Sequence, residues 1–372
     1  TPILYPRSTS YTVGGVASTL IFNQVEAYNS RLFFAEKNTL SIWYLPVQQF
    51  QGALTEFDVG PLCVRGGSIS SITTWTRDNA ASGANGMFVI VTTKGEVLIY
   101  NGPDPATWTL SARFLVGEPI AGPRSVVRLG PDCVLLCQDG FQPLATYLQL
   151  GQSKAESIAL SAKIGNAVTD AIRNHKTEDG WCGLLYPAAN MLIFNVPRGS
   201  GVFYQYVANT ITGAWCQFQG MNAYSWCINE AQPYFGDGAC KVFLADTGTN
   251  DDGAAINGEW RGSYQYAGVR GLIKRFTMAR PIFQTTGPLV TSFGVDVDFV
   301  NTDIVSASLS TTSAGVWGTA VWGLFTWGGS YQLQRDWVGV ANIGYAVAPH
   351  MKISTGTISV NLMATDILHE TG

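Results

Sequence analysis

A chain of 372 residues with formal net charge −4 and 13% charged side chains shows no basic face or stripe of the kind a sequence-specific DNA binder carries. It has no apolar run of the ~18 residues a membrane span needs, and no charged segment leading into an apolar one opens it as in a signal peptide. Its 46% hydrophobic residues, 41 Gly and 12% aromatics suit many short strands joined by tight turns, and the sparse charge implies surface covered by neighbouring subunits.

In chain order, residues 1–28 predict an extended lead-in and one strand over 18–22. Residues 31–35 and 41–45 predict a hairpin turning near Lys37-Asn38, and 46–67 a loop-rich connection with Pro46, Gly52, Gly60, Pro61, Gly66 and Gly67. Strands follow at 70–75, 87–92, 96–100, 108–115, 125–129, 132–138 and 141–144. The turn-to-strand units Lys94-Gly95-Glu96-Val97, Asp139-Gly140-Phe141-Gln142 and Asp237-Gly238-Ala239-Cys240-Lys241-Val242 recur at roughly 40 to 60 residues once the unit around Gly201 is included.

Residues 153–175 break this scheme: they lack Pro, hold only Gly165, and place Ile158, Ala162, Ile164, Val168, Ala171 and Ile172 at helical spacing. One amphipathic helix is expected near 157–175, packed across the β array or docked on an adjacent protein. Beyond it, Leu192, Phe194 and Val196 alternate as a half-buried strand does, Gly199-Ser200-Gly201 turns, and Val202, Tyr204 and Tyr206 alternate again. A turn at 209–213, a strand at 214–218, and a further pair around Tyr234-Phe235 and 242–244 extend the meander. Successive meanders point to a β-propeller over 1–255 with one inserted helix, although a β-sandwich also gives short strands at regular spacing. Residues 247–260 form a polar linker, and alternation over 271–283 and 289–299, with Val295, Val297 and Phe299 on one face, predicts a β-sandwich over 256–372. Strands at 338–347, 352–354 and 357–364 would close it.

Catalytic chemistry is hard to assemble from these residues. His175, His350 and His369 stand apart from any second ligand at metal spacing, and no Gly-x-Ser-x-Gly is present. The seven cysteines, Cys63, Cys133, Cys137, Cys182, Cys216, Cys227 and Cys240, include no Cys-x-x-Cys and are expected to be small buried hydrophobes of a chain made in a reducing cytosol. Asp246-Thr247-Gly248 spells half of an aspartic-protease site but has no second copy, so a turn is expected. Asp246, Asn250, Asp251 and Asp252 offer oxygen ligands without EF-hand spacing, which makes a solvated loop the plainer reading and a bound cation the alternative. Propeller glycosidases need paired carboxylates, and Glu178, Asp179 and Glu230 cannot be paired from sequence. Trp317, Trp322, Trp327 and Trp337 suit core or interface contacts better than a sugar platform. Arg270, Lys274, Arg275 and Arg280 form a local basic cluster at the domain junction, fitting solvated strand ends, inter-subunit ion pairs or contact with passing phosphates. No cofactor is implied.

The segments GWCGLLYPAANMLIFNVP, QYVANTITGAWCQFQGMNAYSW, YFGDGACKVFLADTGTNDDGAA and KRFTMARPIF resemble the tail tube or nozzle proteins of short-tailed bacteriophages. So do Arg31-Leu-Phe-Phe-Ala-Glu, Leu45-Pro-Val, the tryptophans at 317, 322 and 327, and residues 361–368, so that the resemblance covers nearly the whole chain. It implies a propeller beside a β-sandwich platform, with six copies in a ring below the portal and adaptor, conducting double-stranded DNA without sequence specificity and carrying fibres or spikes. The weak charge then suits a lumen wall that guides DNA without gripping it. The location implied is the virion tail, after synthesis in the host cytoplasm, and no catalytic residues carry over. Family members have further strands before the point where this chain starts, so that the strands helping to close the propeller are absent, removed or supplied by another chain. The readings that compete with this one are a propeller glycosidase and a monomeric protein- or sugar-binding propeller.

Overall fold

Strands that are apolar on both faces need a neighbour on each side. In the computed structural model, which describes residues 13–79, 83–120, 122–130, 132–150, 159–287, 289, 291–302, 304 and 331–371, that demand is met by stacking small sheets. The chain divides into two units, Thr1–Asp246 and Thr247–Gly372.

The first unit is a run of five antiparallel meanders in chain order. After a two-residue parallel pairing of β1 (Val13–Gly14) with β5 (Gly52–Ala53), the first sheet holds β2 (Phe22–Tyr28), β3 (Arg31–Glu36), β4 (Ser41–Tyr44) and β6 (Thr55–Asp58). The second holds β7 (Ile69–Asn79), β8 (Gly83–Thr92), β9 (Glu96–Asn101) and β10 (Thr109–Leu115), and the third β11 (Val126–Leu129), β12 (Asp132–Cys137) and β13 (Gly140–Pro143). The fourth holds β14 (Cys182–Tyr186), β15 (Met191–Pro197), β16 (Phe203–Asn209) and β17 (Trp215–Gln219), and the fifth β18 (Ser225–Asn229), β19 (Gln232–Gly236) and β20 (Val242–Leu244). Successive sheets neighbour one another through their leading strands, save that the second meets the middle strand of the third: β2 lies against β7, β7 against β12, β11 against β14, and β14 against β18.

Period-two alternation explains how the sheets stack. On β8, Phe88 and Ile90 enter the core shared with the first sheet, while Val89 and Val91 enter the core shared with the third. On β12, Cys133, Leu135 and Cys137 face the second sheet, and Val134 and Leu136 face the fourth. Each middle strand thus serves two cores, as in the blades of a β-propeller. This corrects the half-buried expectation for β15: Leu192 to Pro197 are all buried.

Other expectations need correction. The strand expected at 18–22 is a short 3-10 turn over Thr19–Ile21, whose leading Ser18 hydroxyl accepts from the Leu20 N–H at 3.2 Å, and the strand starts at Phe22. The loop-rich 46–67 contains β6, the fourth strand of the first sheet. The single helix expected near 157–175 is shorter: α1 (Leu144–Leu150) precedes it, residues 151–158 lie outside the described residues, and α2 spans Gly165–His175 after a 3-10 turn at Ala162–Ile164. Val168, Ala171 and Ile172 insert into the core between the third and fourth sheets, so α2 packs across the β array.

The second unit is a β-sandwich. One sheet has the order β21 (Ile256–Arg261), β26 (Val347–Thr355), β23 (Thr291–Val297). In the other, β22 (Lys274–Thr285) pairs with β24 (Gln332–Gln334) and β25 (Val338–Gly344) on one flank and with β27 (Val360–Thr371) on the other. Phe276, Ala279 and Phe283 from β22 meet Phe293 and Val295 from β23 and Val347 and Met351 from β26 between them. Strand β21 occupies part of the expected linker, and Phe299 has left the strand at φ 65°, 64% exposed, apart from buried Val295. Trp317, Trp322 and Trp327 lie outside the described residues.

Candidate functional site

The leading strands of the first unit bring polar side chains together from three sheets. Gln24 on β2 reads the Ile72 peptide on β7, its Oε1 accepting from the N–H at 2.8 Å and its Nε2 donating to the carbonyl at 2.7 Å. Two residues on, Glu26 forms an ion pair with Arg128 of β11, and Arg128 Nη2 donates to Thr74 Oγ1 on β7 at 2.8 Å. The five leading strands contain two carboxylates in sequence, Glu26 and Asp78. Glu26 is engaged by the Arg128 guanidinium and approached by the Thr74 hydroxyl.

Between the fourth and fifth sheets the polar group is Asn195, fully buried on β15. Its Nδ2 donates to the Gly180 and Ala223 carbonyls, both at 2.7 Å, and its Oδ1 accepts from Gln205 Nε2 at 2.8 Å and Trp226 Nε1 at 3.1 Å. All four hydrogen-bonding positions of the carboxamide are used.

The basic cluster expected from sequence does not gather. Alternation on β22 buries Lys274, whose Nζ donates to the carbonyls of Val269 (2.6 Å) and Leu272 (2.9 Å), and exposes Arg275. Arg280 is held by Asp366 on β27, with Nη2 at 2.6 Å and Nε at 3.0 Å from Oδ2, and lies over the Trp337 ring at 4.7 Å. Arg270 lies over the Tyr266 ring. Asp246 sits at φ 53° after β20, a turn geometry, and Asn250 Oδ1 accepts from Gly253 N–H in a turn where Asp251 and Ala254 bond reciprocally. Among the described residues no three His, Cys, Asp or Glu side chains gather as metal ligands, Asp246, Asp251 and Asp252 included. Glu178 receives His175 Nδ1 at 2.7 Å, and Glu230 occupies a hairpin turn at φ 50°. Cys133, Cys137 and Cys182 are buried as expected, whereas Cys216, Cys227 and Cys240 are exposed.

A titratable cluster not expected from sequence lies in the second unit. Glu259 and Arg261 (β21), Asp296 (β23) and His350 (β26) occupy the face of their sheet turned away from the sandwich core. Asp296 is fully buried; its Oδ1 accepts from the Thr302 N–H (3.0 Å) and hydroxyl (2.8 Å), and Arg261 Nε lies 2.6 Å from Oδ2. Burial pushes the Asp296 carboxyl up, but the Thr302 hydrogen bonds and the His350 and Arg261 charges outweigh it and hold it below the usual range. His350 Nε2 meets Glu259 Oε1 at 2.8 Å and Nδ1 lies 3.3 Å from Asp296 Oδ2. Both imidazole nitrogens face carboxylates, and among the described residues no hydroxyl or thiol is placed on them, so the cluster ties three strands together. The alternating polar positions of β21, β23 and β26 were its only sequence signal, and they become a cluster only once the strand order is known.

No family model and no curated protein matches the chain. Among solved structures it is similar to a family 43 glycoside hydrolase whose engineered active site gives endo-xylanase and exo-arabinofuranosidase activity (8% identity, 91% of this chain and 97% of that one, TM-score 0.26). It is similar also to a family 43 arabinoxylan arabinofuranohydrolase from Bacillus subtilis (9%, 98% and 100%, TM-score 0.26) and to the WD40 domain of SCAP from fission yeast (8%, 91% and 85%, TM-score 0.29). At these scores the likenesses carry no argument about what this chain does. No described helix is long and apolar enough to cross a membrane.

Proposed function

We propose that this chain is a structural tail protein of the nozzle type, a subunit of a ring that surrounds the path of double-stranded DNA leaving a short-tailed phage particle. The observation that carries the reading is the order of architectures along the chain, a blade-by-blade β array followed by a β-sandwich, which is the order the sequence resemblance implies. The chemistry of the described residues supports it. Glu26 on the leading strands is neutralised by Arg128, and the buried charged cluster around Asp296 is spent on holding strands. The function is then mechanical: stacked sheets give a stiff wall, and six copies in a ring, set against portal and adaptor and carrying fibres or spikes, extend the channel. The direct test is to locate the chain in the assembled tail by electron microscopy. A subunit placed away from the channel, or one removable without loss of DNA delivery, overturns the proposal.

A further inference from the structure

We infer that the outer face of the β25–β22–β27 sheet docks a neighbouring copy of this chain; the inference rests on the ring reading above. Alternation sends Phe276, Ala279 and Phe283 inward, leaving Met278 on the opposite face beside its cross-strand partner Leu368. Ile343 of β25 pairs with Arg275 on that face, and Met363 is the extra residue where β27 bulges against Ile282 and Phe283. Trp337 lies under Arg280 at its margin. These five apolar side chains are 37% (Met278), 48% (Leu368), 66% (Ile343), 63% (Met363) and 38% (Trp337) exposed. Together they present on the order of 500 Å² of apolar surface, against roughly 800 Å² per partner, about 65% of it apolar, in a stable homomeric interface. Two further observations select a protein copy over a charged polymer. Arg280 is already paired within the face by Asp366, and Arg275 stands cross-strand from Glu370, so the face carries a carboxylate for each guanidinium and no cationic surplus for phosphates. Its composition, Met, Trp and Arg without lysine, is that of interface centres.

The test uses the full chain and the double variant Met363→Glu/Leu368→Glu, followed by sedimentation velocity and native mass spectrometry. The wild type is expected to form closed oligomers at tens of micromolar, and the variant to sediment as a monomer, association weakened at least about 100-fold, with an unchanged melting midpoint. A variant that assembles like the wild type overturns the inference, and so does one whose monomer melts earlier, because the chain itself then covers the face. A second variant, Met363→Cys with Cys216, Cys227 and Cys240 replaced by Ser, reads the face without adding charge: alkylation is expected to be fast in dilute monomer and slow in the oligomer. Equal rates in a chain that still forms rings overturn this interface and leave the nozzle reading standing. A wild type that never assembles, with or without portal and adaptor, overturns both.

Discussion

At the residue scale, the fate of each polar group depends on which partners the fold brings to it. Asp296 is the clearest case, because its carboxyl is held below the unfolded value near 3.9 by Thr302, His350 and Arg261. A depressed carboxyl contributes stability that is present above the unfolded pKa and lost as pH falls through the lower folded value. The second unit is therefore expected to loosen below about pH 4, and Asp296→Asn to flatten that acid limb while costing about 2 kcal/mol at neutral pH by removing the charge from its contacts with Arg261 and Thr302. Near-UV circular dichroism across an acid titration reads both; an unchanged acid limb contradicts the assignment. Asn195→Ala removes four hydrogen bonds, strands the Trp226 N–H and leaves Gln205 Nε2 with the Met221 carbonyl alone, so a loss of about 3 kcal/mol is expected in denaturant unfolding, and a loss below about 1 kcal/mol would show that water replaces the carboxamide. The thiols divide by burial: Cys133 and Cys182 are pushed up to about 11, chiefly by burial, and Cys137 higher still. In a thiol titration of the native chain Cys227 and Cys240 are expected to react first, and these three only on unfolding.

At the element scale, tight turns and strand starts set the meanders. Gly95 sits at φ 75°, and a Cβ there would lie 2.3 Å from the Val116 carbonyl oxygen, whereas Gly66 at φ 65° faces open space. Gly95→Ala is expected to cost at least about 2 kcal/mol and Gly66→Ala about 1 kcal/mol, measured as shifts in the guanidinium midpoint; equal costs would mean that the turn can move away from Val116. Trp215 stacks on Phe194 at 5.9 Å but remains half-buried at the edge of its core, so Trp215→Ala is expected to cost about 2 kcal/mol, less than the roughly 3–5 kcal/mol of Phe194→Ala. Turn chemistry and period two were legible in the sequence: the Lys94-Gly95, Asp139-Gly140 and Asp237-Gly238 turns each precede or separate strands as expected. What was not legible came from elsewhere in the fold. Strand β6 is polar because only one of its faces meets the core, β21 reads as a linker because its residues are exposed, and α2 is shortened by a 3-10 turn that local pattern does not separate from a helix. The cluster of Glu259, Arg261, Asp296 and His350 depends on pairings across 91 residues, which no local window contains.

At the scale of the whole molecule, five stacked sheets and a separate sandwich place most chemistry in the service of cohesion. Apolar side chains feed cores between sheets, and polar groups such as half-buried Gln24 and buried Asn195 and Lys274 satisfy backbone groups. The third and fifth sheets have three strands where their neighbours have four, and on β20 Val242, Phe243 and Leu244 all remain exposed. In the proposed ring, a chain with 13% charged residues would have such exposed apolar strands covered by neighbouring copies. The measurement that bears most directly on the central claim is electron microscopy of the assembled particle, or of the purified chain at high concentration, with no symmetry imposed. The account predicts a sixfold ring of this chain around an open axial channel wide enough for duplex DNA. Isolated single subunits that never assemble, even with portal and adaptor present, would contradict it.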